Sequence, residues 1–370
     1  MSEDEGGGLR LHCEDAAGQD EAWTRVVTGN PAAAFGHGLA AQRFEAGLGV
    51  PGTSFLVRDH AGSPLAVVPA WLPVQPFRAG LERRLLTGGV RFAAGPLLAP
   101  GLGARVVRAV HACIADELLR RAARHRVDRI DLFLPAVVDG RLAVDVLGHT
   151  PLHAHGFEER PWVALLVALD PPEEALLAGF DRQRRKNLRR ADGLGLVARP
   201  LRDAAEWRRL VDGLDREHAD PGNSPAFLAA LHDALLAHAD CPVLVVEQEG
   251  RLLNALVSRR HGALEEAWIA LPQGGYREVP GVASWMYWQA MRAARAAGVR
   301  WFHLGAHEAG DARQQSIARF KFEFSPRAAY QLRAVRDLGW VRPALFAALE
   351  LRGAERRRAA ALTPPAAPPP

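Results

Sequence analysis

The hydrophobic and polar positions of this chain spell out one order of elements twice. Phe55-Leu-Val-Arg-Asp-His-Ala-Gly-Ser-Pro-Leu-Ala-Val-Val-Pro-Ala-Trp71 reads as a strand, a glycine-containing turn and a strand. Val243-Leu-Val-Val-Glu-Gln-Glu-Gly-Arg-Leu-Leu-Asn-Ala-Leu-Val257 repeats that hairpin, with Glu249-Gly250 as its turn. After the first hairpin, a Gly/Pro-rich stretch leads to a helical pattern over 104–125 and a short apolar strand, Arg129-Ile-Asp-Leu-Phe-Leu134. After the second, Gly274 to Gly281 leads to a helix over 283–297, a stop at Gly298 and a strand, Arg300-Trp-Phe-His-Leu304. Each half closes on a final strand, from Gly156 to Leu169 in the first and from Phe320 to Val335 in the second. Strand alternating with helix predicts an α/β fold. Duplication at this long spacing predicts tandem domains rather than a solenoid.

The predicted boundaries follow from breaks in the pattern. Residues 1–22 read as a flexible lead-in, 23–169 as the first domain and 170–340 as the second, with Asp170-Pro171-Pro172 between them. A basic helix over 342–361 and a proline tail fill residues 341–370. The acidic N-terminus has no apolar segment of signal-peptide type, and no stretch approaches the length of a membrane span. The expectation is a cytoplasmic protein without membrane insertion.

Composition narrows the picture a little. With 48% hydrophobic and 24% charged residues, the chain has material for a large core. Three cysteines without CxxC spacing support neither a disulfide framework nor a cysteine zinc site, which fits a reducing compartment. The net charge of +4 is modest for a dedicated nucleic-acid binder, and DNA is not an expected partner. Of 46 basic residues only Lys186 and Lys321 are lysine, and both fall in segments with chemistry.

Those two segments carry a family resemblance. Arg185-Lys-Asn-Leu-Arg-Arg-Ala-Asp-Gly-Leu-Gly-Leu196 is similar to the Arg-Tyr-Asn-Ile-x-x-Ala-x-x-x-Gly-Val segment of the Fem-like branch of the GCN5-related N-acetyltransferase (GNAT) superfamily. Arg185, Asn187, Leu188, Ala191 and Gly195 are in register, while Lys186 replaces the family's tyrosine. Ile317-Ala-Arg-Phe-Lys-Phe-Glu-Phe324 resembles the closing Phe-Lys-x-x-Phe of the same proteins, with Ser325 where a glycine is expected. The resemblance implies two tandem GNAT-like domains, mixed sheets flanked by helices, and a groove between them. It implies transfer of an acyl group to the amine of a small molecule or a cell-wall or natural-product precursor. No tightly bound cofactor is implied; the donor is either aminoacyl-tRNA or an acyl-CoA, which makes tRNA a candidate partner.

Physical chemistry adds roles for individual residues. Arg182, Arg185, Lys186, Arg189 and Arg190 share one helical face, a pattern that suits phosphate or carboxylate and equally suits a solvated surface. Asn187 joins this set through the family register. On a strand, Lys321 and Glu323 would alternate against Phe320, Phe322 and Phe324, placing a compact cation beside a reacting carbonyl or, in the plain reading, a surface ion pair. A CoA cradle needs free amides at a helix start, and Arg277-Glu-Val-Pro-Gly281-Val-Ala283 is one residue long with Pro280 removing an amide. The degraded cradle favours aminoacyl-tRNA. The acceptor ammonium must lose a proton at a cost of about 4 kcal/mol at neutral pH. His307 and Glu308, with Asp311, are the expected bases, since they follow the second strand. His149, His153, His155 and His303 read as loop histidines of the groove, without a metal. Two other readings remain: an acetyltransferase using acyl-CoA, and a non-catalytic duplicate that binds an anionic ligand or nucleic acid.

Overall fold

The computed structural model describes residues 9–76, 82–92, 94–134, 150–217, 223–236, 240–307 and 312–339. In chain order the first half holds β1 (Leu11–Asp15), α1 (Asp20–Val27), α2 (Leu39–Gly47), β2 (Phe55–Asp59), β3 (Pro64–Val68), β4 (Val74–Pro76), β5 (Glu82–Thr87), β6 (Leu97–Leu98), α3 (Ala104–Arg124), β7 (Arg129–Phe133) and β8 (Glu158–Ala168). The second holds α4 (Glu173–Gly179), α5 (Arg182–Asp192), β9 (Leu196–Pro200), α6 (Ala204–Asp212), α7 (Pro225–Leu231), β10 (Val243–Gln248), β11 (Arg251–His261) and β12 (Leu264–Ala270). It ends with α8 (Val282–Ala296), β13 (Trp301–His307), α9 (Ala312–Phe322) and β14 (Arg327–Asp337).

Local chemistry explains several of these boundaries. The side chains of Asp181, Asp203 and Ser224 accept a backbone N–H at the starts of α5, α6 and α7, which relieves donors that a helix start leaves unpaired. Pro225 opens α7, where its missing N–H costs nothing. Glu249 and Gly250 both have positive φ, the geometry of a two-residue hairpin turn, and join β10 to β11 as the sequence predicts.

The strands form a four-stranded sheet, β1-β2-β3-β6, and a ten-stranded sheet in the order β4-β5-β7-β14-β8-β13-β12-β11-β10-β9. Within the long sheet β5/β7 and β12/β13 are parallel and the other pairs antiparallel. The two closing strands are exchanged. β8, from the first half, lies against β13 of the second, and β14 returns from the chain's far end to pair with β7. The predicted division at residues 169 and 170 therefore follows the sequence but not the sheet.

Three more differences have physical causes. Residues 11–15 are not a free lead-in: β1 pairs with β2 over its whole length, and Arg121 on α3 binds Asp15 at 2.5 Å and the Thr53 carbonyl at 2.8 Å. Cys13 and Cys113 also meet there, Sγ to Sγ 3.4 Å, as free thiols. The segment from Phe320 to Val335 is not one strand, because α9 runs through Phe322 before β14 begins. β12 was not anticipated; Gly262 turns the chain after β11 and adds it to the sheet. The predicted helix over 342–361 and the proline tail lie outside the described residues.

Packing ties the halves together. α8 and α5 cover one face of the second-half strands, with Trp285, Met286, Leu188 and Phe302 among the buried residues. The other face buries α6 and α7 together with Phe44 of α2 and Phe92, both from the first half. Phe92 packs at a tilt against Trp268, ring centroids 5.0 Å apart, so a first-half loop reaches onto second-half strands.

Candidate active site

The site grows out of the parallel pair β12/β13. Their pairing runs only over Leu264–Glu266 and Trp301–His303, after which no ladder joins the remaining residues of the two strands. Phe302 and Leu304 point into the core beneath α8, so alternation sends His303 to the opposite face. Arg259, Glu266 and His303 are register partners across three neighbouring strands and share that face.

A charged row results. Arg259 Nη2 lies 2.5 Å from Glu266 Oε2, and His303 Nδ1 lies 3.4 Å from Glu266 Oε1. Burial pushes the Glu266 carboxyl up, but the charges of Arg259 and His303 outweigh it and hold the pKa at about 2. Arg259 also donates to the Arg91 carbonyl at 3.1 Å and lies over the rings of Phe92 and Trp268. The first-half loop is itself fixed: one Glu45 oxygen accepts the N–H groups of Val90, Arg91 and Phe92 at 2.9, 2.7 and 3.2 Å. His303 is only 3% exposed, and neither ring nitrogen makes a hydrogen bond to a described residue.

Lys321 completes the row from α9. Gly305 has a φ of +86°, and a Cβ on it would stand 2.9 Å from Lys321 Nζ and 3.8 Å from the Ala267 carbonyl oxygen. The ammonium therefore sits at the place where β12 and β13 part. Burial lowers its pKa to about 8, with the Glu266 charge pulling the other way. An ammonium brought into a poorly hydrated opening, with a carboxylate held ionised close by, can polarise a carbonyl and stabilise an oxyanion.

The expectation of a strand at Lys321 is corrected. The rings at 320, 322 and 324 mimic two-residue alternation, but Phe320 and Phe324 lie four apart at the end of α9. Both flank the Arg184 guanidinium at 4.2 Å, whereas Phe322 is 46% exposed. Phe320 also packs edge-on against Tyr287, ring centroids 5.3 Å apart.

The basic run of α5 divides. Arg182, Lys186, Arg189 and Arg190 are exposed, as a solvated or anion-binding face requires. Arg185 is not free for a ligand in the same way, since its Nη1 donates to the Ala178 and Phe180 carbonyls at the end of α4. Asn187 accepts from Gln183 Nε2 at 3.0 Å. Arg184, which sequence spacing left off this face, is fully buried and turns inward to Ser284, Phe320 and Glu323. Arg277 is exposed in a short 3-10 turn, with Tyr276, Asp215 and Glu217 around it rather than α5.

Of the expected bases, His307 closes β13 opposite Val163, while its side chain, Glu308 and Asp311 lie outside the described residues. His303 is a buried strand residue, not a loop histidine; His153 and His155 sit in a short 3-10 turn, and His149 is outside the description. Among the described residues no group of three or more His, Cys, Asp or Glu is placed to hold a metal, and no helix is long and apolar enough to cross a membrane. Sequence reasoning missed Arg259, Glu266 and Phe92. The alternation of Leu-Glu-Glu-Ala-Trp-Ile-Ala after Gly262 was the signal for β12 and hence for Glu266.

Residues 180–321 match the family described as acetyltransferase (GNAT) domain. No curated protein matches the chain. Among solved structures, the crystal structure of FemX aligns with a TM-score of 0.66 and 12% identity over 89% of this chain and 97% of that one. The L-PGS structure from Bacillus licheniformis aligns with a TM-score of 0.54 and 13% identity, over 90% of this chain and 95% of its own. A tandem GNAT protein from the clavulanic acid biosynthesis pathway aligns with a TM-score of 0.52 and 14% identity, over 90% and 99%. Residues 180–321 are thus similar to a GNAT acetyltransferase domain, and the chain shares the fold of FemX and of the tandem GNAT protein.

Proposed function

We propose that the protein is an N-acyltransferase that moves an acyl group directly onto a neutral amine, with aminoacyl-tRNA as the favoured donor and a small-molecule or cell-wall or natural-product precursor as acceptor. The observation that carries this reading is the Lys321 ammonium at the parting of β12 and β13, beside Gly305 and the charge of Glu266. A donor carbonyl entering the opening meets a cation where water is scarce, so charge developing on its oxygen is stabilised more than the ground state. The acceptor nitrogen bonds to the carbonyl carbon, the tetrahedral intermediate collapses, and the ester oxygen leaves with the proton that the attacking nitrogen gives up. No serine or cysteine nucleophile is needed.

Two features favour aminoacyl-tRNA over acyl-CoA. The exposed cations Arg182, Lys186, Arg189 and Arg190 give α5 a face for a phosphate backbone. The start of α8, where a pyrophosphate would bind amides, is crowded: a Cβ on Gly281 (φ +84°) would lie 2.8 Å from the Asn187 carbonyl oxygen. The Ser284 hydroxyl in its first turn is taken by Arg184.

The test is a binding titration of the full chain against a charged tRNA pool and against acetyl-CoA, followed by transfer to an amine panel with and without ribonuclease. Binding of charged tRNA and ribonuclease-sensitive transfer support the reading. Micromolar acetyl-CoA binding with ribonuclease-resistant transfer replaces the donor, and absence of both leaves a non-catalytic anion-binding duplicate.

A further inference from the structure

We infer that Arg184 is the positioning residue for Lys321, gripping the last turn of α9 on both sides of the lysine and so fixing where the ammonium stands. This deepens the proposed function, because it assumes that the placement of Lys321 matters to the acyl carbonyl.

The contacts bracket position 321. The Arg184 guanidinium donates from Nη2 to the Phe320 carbonyl at 2.6 Å and from Nη1 to the Ser284 hydroxyl, and its Nη2 lies 2.9 Å from Glu323 Oε2. The rings of Phe320 and Phe324 close over it at 4.2 Å each. Phe320 needs this partner. The Phe324 N–H, which a continuing helix would return to Phe320, goes instead to the Lys321 carbonyl at 3.2 Å. Arg184 therefore caps α9 from another helix, with its charge at the negative end of the helix dipole. A second tie runs from the Asp181 N–H to the Glu323 carbonyl at 2.9 Å, so the start of α5 and the end of α9 interlock.

The arrangement is costly if it serves packing alone. Arg184 has no exposed surface, and its Nε makes no hydrogen bond to a described residue. Burial pulls the guanidinium down to about 10 against the charge of Glu323. A planar fork that spans a carbonyl, a hydroxyl and a carboxylate between two rings is what arginine offers and a lysine point charge cannot. What the grip delivers is the ammonium beside Gly305, a place with no room for a β-carbon.

The composition supplies a direct readout, since the full chain contains two lysines, Lys186 and Lys321. Carbon-13 lysine labelling gives two ε-methylene signals, assigned through Lys186→Arg, and their titration needs no substrate. Arg184→Gln should raise the Lys321 midpoint from about 8 by about one pH unit or more toward the free-lysine value, with Lys186 unmoved. Arg184→Lys should not restore it. Glu323→Gln, a milder change that leaves the buried cation in place, should shift Lys321 in the same direction by less. An unshifted Lys321 in folded Arg184→Gln protein overturns the inference; if that variant does not fold, an unshifted Lys321 in Glu323→Gln does so. Transfer by Lys321→Ala protein would refute the proposed function instead, so the two failures are distinct.

Discussion

Replacing Lys321 with methionine should make the protein more stable near neutral pH while removing its activity. Burial lowers the Lys321 pKa from 10.5 to about 8, so the folded protein holds this proton less tightly than the unfolded chain does. Below pH 8 both states are protonated and the full penalty for the buried charge applies. Between 8 and 10.5 the folded state gives up the proton first, and native stability rises with pH relative to a neutral side chain. The shift corresponds to about 3 kcal/mol at 1.36 kcal/mol per unit. Methionine is similar in length and has no charge to bury. With an unfolding entropy of about 2.1 cal/mol/K per residue, 3 kcal/mol in a chain of this length is a melting shift of about 4 °C. The assay is thermal unfolding of both proteins at pH 7, 8, 9 and 10. The gap should be widest at pH 7 and shrink as pH rises. A variant that is equally or less stable at every pH would refute the idea that Lys321 stands desolvated, and with it the electrostatic part of the proposed mechanism.

Other outcomes follow from particular contacts. Transfer should decline above pH 8 as Lys321 deprotonates, and in Glu266→Gln the decline should begin at lower pH, because the carboxylate no longer holds the proton; a pH–rate profile of both proteins checks this. Arg185→Ala should cost about 1 kcal/mol by uncapping α4, whereas Arg189→Ala should leave the melting point alone and weaken tRNA binding, as urea unfolding and a salt-dependent titration would show. Phe92→Ala should cost about 3–5 kcal/mol, since it empties a buried site between the halves and strips the ring from Arg259.

Much of the architecture was legible because local patterns agreed with the tertiary result. The Glu249-Gly250 turn, the helix stop at Gly298 and the apolar run at 129–133 each had one good solution. Lys321 was found by its segment but placed on the wrong element, because rings spaced by two are also spaced by four. Arg184 looked like one more cation in a polar run. Its burial depends on Ser284 and Glu323, about 100 and 140 positions away, and no local spacing reports that. Arg259, Glu266 and His303 became neighbours only through cross-strand register, which the sequence does not display once a strand is overlooked.

The exchange of β8 and β14 bears on how this chain is born. During synthesis the first half emerges with β7 exposed on the edge that will later be covered, since its antiparallel partner, Arg333 to Asp337, is made some 200 residues afterwards. An open strand edge is a site for mispairing with another chain until it is filled. The ribosome thus holds an incomplete sheet through the translation of nearly the whole second half. A stop codon shortly before residue 327 would leave both halves without their shared seam strand, so that a premature product is a candidate for degradation and not a working fragment.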